Sequence, residues 1–196
     1  MVDNSLVTDG RDPSNALGAV VFELQLLAAA ILLDRSTPRR CGPTTLERYA
    51  QRCAAEVMLI KSRSLLELLS KGAERKAARR KTPKDDITMT DLLLDSPKEL
   101  DSAMEEFRTF VNKRSAHLTW ERAGSVIDTW SKRRGESIPA RALEVLRLAY
   151  GTTVSPLLAR GVVPTAARYR RREDVRVLHE QMAQLGLAAF VEEGQM

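Results

Sequence analysis

Residues 16–33, ALGAVVFELQLLAAAILL, constrain the fold more than any other part of the chain. Eighteen consecutive residues this apolar are too long for a strand and have no polar face to leave in water. They must be buried on nearly every side, in a protein core or in a bilayer. Glu23 and Gln25 fall in the middle of the run and no basic region precedes it. Neither a membrane span nor a signal peptide fits that pattern, so the expectation is a core helix over about 15–34.

A helix of that kind needs other helices around it, and the rest of the chain offers them. Leu, Ala, Arg and Glu dominate, and aromatics make up only 5% of residues, a composition that favours helix over sheet. Length sets the scale, since 196 residues suffice for one good core and are short for two. The segment Thr44-Thr45-Leu46-Glu47 is a capping box. It opens a second helix running to about Ser70, with an expected inward stripe of Leu46, Tyr49/Ala50, Cys53, Val57, Ile60 and Leu68. Ser96, Pro97 and Glu99 mark a third start, followed by Leu100, Met104, Phe107 and Val111 at helical spacing. Helices two and three are expected to pack antiparallel at the centre.

Further helices are expected over 120–133, from Pro139 to about Tyr150, near 154–160, and over 171–185 with Val175, Leu178, Met182 and Leu185 inward. The fold class is therefore all-α, a bundle of about five to seven helices. Residues 1–13 read as a flexible lead-in and 14–190 as a single helical domain. That domain is interrupted by a charged excursion at 71–95, in which KGAERKAARRKTPK is followed by an acidic stretch beginning at Asp85 and Asp86.

The chemistry that can be excluded is extensive. The chain has no glycine-rich phosphate loop, no nucleophile elbow and no HExxH. His117 and His179 are its only histidines, and Cys41 and Cys53 have no metal-ligand spacing, so no metal site and no cofactor are expected. Cys53 lies on an apolar helical face, where a small buried thiol is the ordinary reading, and the compartment reads as reducing, hence cytoplasmic.

One constellation remains. In FVNKRSAHLTWER, residues 110–122, a helix that has been burying Phe107, Phe110 and Val111 runs into Asn112, Lys113, Arg114 and His117, with Arg122 beyond. An imidazole beside cations and an amide suits phosphodiester chemistry, with His117 as the acid or base and Lys113, Arg114 or Arg122 as the phosphate clamp. The same residues suit a helix end, where cations meet the last carbonyls and Arg114 seeks an acid near Arg63, among them Glu56 and Glu67. Both readings stand on the sequence.

The run VNKRSAHLTWER resembles a motif of poorly characterised bacterial helical-bundle proteins, together with Lys61-Ser62-Arg63-Ser64-Leu65-Leu66 and the acidic pair Asp85 and Asp86. It is also distantly similar to the HEPN superfamily of helical-bundle ribonucleases and nucleotide-binding domains. Members there carry an arginine a few residues ahead of a histidine on one helix and frequently act as dimers. Here Asn112 stands in the arginine's place and Arg108 lies too far upstream, so the resemblance carries over His117 alone.

The expected function is that of a soluble binding or interaction protein, possible as a homodimer, with a metal-independent ribonuclease or nucleic-acid-binding domain using His117 as the alternative. The sequence leaves open whether the chain is an enzyme. The net charge of +5 and 23 Arg against 8 Lys permit a nucleic acid partner, through the basic stretches 75–81 and 168–176. No membrane partner is expected, because no stretch pairs a basic face with exposed aromatics.

Overall fold

A computed structural model describes residues 12–38, 44–70, 87, 89, 92–94, 100–115, 130, 135–165 and 173–193. Among them the protein is all-α, with no strand. The helices are α1 (Pro13–Ser36), α2 (Thr45–Leu69), α3 (Ser102–Ser115), α4 (Ile138–Ala149), α5 (Ser155–Ala159), α6 (Glu173–Gln184) and α7 (Ala188–Glu193). A π-helical turn, Tyr150–Val154, joins α4 to α5.

The long apolar run forms the central helix. Pro13 occupies its first turn, and the Asp12 carboxylate accepts from the Ser14 amide at 2.9 Å, so Asp12 is the cap. By length and composition α1 could cross a membrane. In the fold it is wrapped by α2, α4, α6 and the π turn, and Leu17, Val21, Leu24, Leu27, Ala28 and Ile31 have no exposed surface. The centre is thus the α1–α2 pair rather than helices two and three. Glu23, the charge that interrupts the run, is held by Lys61 of α2 at 2.9 Å.

The capping box of α2 forms as its sequence dictates. The Glu47 amide donates to Thr44 Oγ1 at 3.2 Å, and the Thr44 amide donates to Glu47 Oε2 at 2.6 Å. The inward face of α2, however, differs from the expected one: of that stripe Leu68 is buried and Val57 half-buried against the core, and Leu46, Tyr49, Cys53 and Ile60 turn outward. Ala54, Ala55, Met58, Leu59, Leu65 and Leu66 are buried, whereas Leu46 is 78% exposed, Tyr49 50% and Ile60 44%. Cys53 is exposed as well, not a buried thiol. Two apolar stripes compete on this helix, and the alanine-bearing one faces α1 because small side chains let two helices approach closely enough to exclude water.

The third helix starts later than its sequence suggests. Leu100 and Asp101 are not helical, and Asp101 is the cap, its carboxylate accepting from the Met104 amide at 2.7 Å. Met104, Phe107 and Val111 are buried as expected. Phe107 meets Trp130 edge-on at 5.1 Å and lies near-parallel to Phe110 at 6.3 Å, which makes a three-ring aromatic cluster. At the other end of the chain, Gly186 takes φ +83° and closes α6, with the Leu187 amide returning to the Met182 carbonyl at 2.9 Å. Leu178, Met182 and Leu185 face inward and Val175 is half-buried.

Candidate functional site

The residues proposed from sequence are only partly placed. His117 and Arg122 lie outside the described residues, as do 75–81 and the acidic pair Asp85 and Asp86. Lys113 and Arg114 belong to the last turn of α3, with their side chains outside the described part. Asn112 is half-buried, and its side-chain oxygen has no hydrogen-bond partner among the described residues. Arg63 pairs with Glu67 at 3.2 Å, four residues along its own helix. From α3 it is Arg108 that feels that acid: its guanidinium is raised first by its hydrogen bonds to Glu105, with Glu67 adding to the attraction. The side chain of Arg114, expected to make an ionic link to α2, lies outside the described residues, and Arg108 pairs with Glu105 on its own helix. Of the second basic stretch, Arg176 lies on α6 and pairs with Glu180 along that helix.

The described residues bring a different set together, around the π turn. Tyr150 ends α4 on its inward stripe and is fully buried, and its hydroxyl lies 2.9 Å from Nε2 of His179 on α6. The two rings meet edge-on at 5.7 Å. Burial pushes the Tyr150 phenol up to about 12 and pushes the His179 imidazole down. Both groups are thus neutral near pH 7. The phenol is the better donor and the imidazole nitrogen the better acceptor, so Tyr150 donates to Nε2 and the ring proton of His179 is assigned to Nδ1.

The π register is supported locally. A π turn shifts carbonyls out of their usual i to i+4 pairing, and two threonine hydroxyls take up the displaced acceptors. Thr152 Oγ1 donates to the Leu148 carbonyl and Thr153 Oγ1 to the Ala149 carbonyl, each at 2.6 Å. Gly151 completes the turn: a β-carbon there would sit 3.1 Å from Cζ of Phe190, tighter than ordinary packing. Phe190 in turn packs 6.0 Å from Tyr150 and lies beneath the Arg147 guanidinium at 5.9 Å.

Beside this cluster lies an open groove of about 640 Å³ between α5, α6 and α7. Leu158, Ala159, Val175, Ala183 and Val191 form its apolar wall, His179 lines it, and the Arg176–Glu180 pair stands at its rim. Its volume is in the range of small-molecule sites. Among the described residues no group of three or more potential metal ligands occurs. No protein-family model matches the chain, and neither the curated proteins nor the solved structures contain a match to it.

The depressed His179 imidazole has a measurable consequence. Its folded state holds a proton less readily than the unfolded chain, whose histidine titrates near 6.5. The unfolded state binds the extra proton as pH falls, so His179 costs stability progressively below that value and nothing well above it. Urea titrations between pH 5 and 8 should show stability rising with pH across this window, and His179→Gln should flatten the part of the slope due to this residue. An unchanged slope in the variant would place the pH dependence elsewhere.

Proposed function

We propose that this chain is a soluble, cytoplasmic helical-bundle binding protein whose ligand occupies the groove beside the π turn. The observation that carries the reading is the Tyr150–His179 pair, held by an irregular turn against an apolar groove of ligand size. π-helical turns are rare and recur at functional sites, because the altered register re-aims the side chains next to them. Here the turn is reinforced by two threonine hydroxyls and a glycine in close contact with an aromatic ring. The chemistry of the walls selects a small, largely apolar ligand that packs beside the imidazole.

The test is an NMR titration of the His179 imidazole with medium-chain alcohols, amides and carboxylic acids, in wild type and in Ala183→Phe, which fills the groove. Saturable shifts in wild type that vanish in the filled variant support the reading. A short RNA is titrated in parallel. Binding of RNA that falls steeply with salt, leaves His179 unshifted and is indifferent to Ala183→Phe would move the function to the basic stretches, and the groove reading fails.

A further inference from the structure

The outward face of α2 carries a second surface, independent of the groove. Large hydrophobic side chains more than a third exposed are few among the described residues, and five of those seven, Phe22, Leu33, Leu46, Tyr49 and Ile60, lie on α1 and α2. On α2 the exposed stripe is Leu46, Tyr49, Cys53 and Ile60, with half-buried Val57 completing it. Its spacing is symmetrical: 46 and 60 each stand seven residues from 53, and 49 and 57 each stand four. At about 100° per residue these five side chains occupy an arc of roughly 80° on the helix.

We propose that this face is the interface of a homodimer, with a twofold axis passing at Cys53 and α2 packed antiparallel on α2 of a second copy. A pattern that reads the same in both directions is what an isologous contact requires. The axis sets Leu46 against Ile60 of the partner subunit, Tyr49 against Val57 of the partner subunit, and Cys53 against Cys53 of the partner subunit. Charge agrees with the geometry. Arg52 and Glu56 lie on the flank of the stripe away from α1, while Lys61, on the other flank, reaches Glu23 of α1. A twofold axis keeps like flanks together, so Arg52 meets Glu56 of the partner subunit, twice per dimer. Among the described residues Arg52 and Glu56 make no hydrogen bond or ion pair within the chain. The inner side of the α1–α2 pair is covered by α4, and exposed Ala29 and Leu33 of the neighbouring α1 widen the outer face.

Sedimentation of the full chain tests the proposal. The mass should rise from 21.9 kDa toward twice that value with concentration. Arg52→Glu, which opposes two carboxylates at each end, should weaken the dimer by roughly tenfold or more, and Arg52→Glu with Glu56→Arg should restore it. In a Cys41→Ser background, a short bis-maleimide should link two chains through Cys53, and Arg52→Glu should suppress that link. A monomer at several hundred micromolar overturns the proposal, as does cross-linking indifferent to the charge reversal. A monomer that floats with phosphatidylcholine vesicles would also overturn it, and would assign the face to a lipid surface. Because these side chains are exposed, unchanged circular dichroism is expected in every variant.

Discussion

Phe107→Ala should destabilise the protein by about 3–5 kcal/mol, the usual range for deleting a fully buried aromatic ring. Phe107 has no exposed surface and packs against Trp130 and Phe110, so its removal leaves a cavity that rigid neighbours fill poorly. Phe110→Ala should cost clearly less, because Phe110 is only half-buried and its ring already borders solvent. For a chain of this length about 1 kcal/mol corresponds to roughly 2–4 °C in melting temperature. The Phe107 variant should therefore melt at least about 6 °C below wild type. Equal losses in the two variants would mean that α3 does not bury the face described here.

Tyr150→Ala is the second large effect, and Tyr150→Phe separates its causes. The alanine variant loses a fully buried ring and the hydrogen bond to His179, with about 3–5 kcal/mol expected from the cavity alone. The phenylalanine variant keeps the ring, so only the hydroxyl is lost, at about 0.5–1.5 kcal/mol for one hydrogen bond. Its His179 signal should also move, since Nε2 loses its donor. If Tyr150→Phe is as damaging as Tyr150→Ala, the ring is not packed as described. If it leaves His179 unchanged, the pair is not hydrogen-bonded in solution. High pH offers an independent check. A phenol raised to about 12 resists ionisation when folded, whereas in the unfolded chain it ionises near 10, so stability should fall as pH rises above 10.

Both variants bear on which part of this molecule was legible before its structure. His179 and Tyr150 are each visible at the edge of an apolar stripe, but 29 positions separate them and no local rule joins such a pair. The groove has the same origin, because its walls come from three helices brought together by packing. The run from Asn112 to Arg122 has a high local density of polar groups, a signal that chemistry and helix ends share. Of that set the described residues place the side chain of Asn112, whose oxygen has no hydrogen-bond partner among them.

Sequence alone determined the features that act within one helical turn. The capping box at Thr44 follows from which backbone amides its side chains can reach, and the start of α4 near Pro139 from the fixed φ of proline. The burial of α1 follows as directly, since a helix apolar all round has no side to give to water. Tertiary structure decided what depends on competition between faces. Helix α2 has two apolar stripes of similar weight, and the one turned inward is the one whose alanines allow close approach to α1. Leu46, Tyr49, Cys53 and Ile60 were left outside, on the twofold-symmetrical stripe that we propose for a second copy. Propensity and periodicity specify that a helix forms, whereas the face it buries is set by the shape of its neighbours.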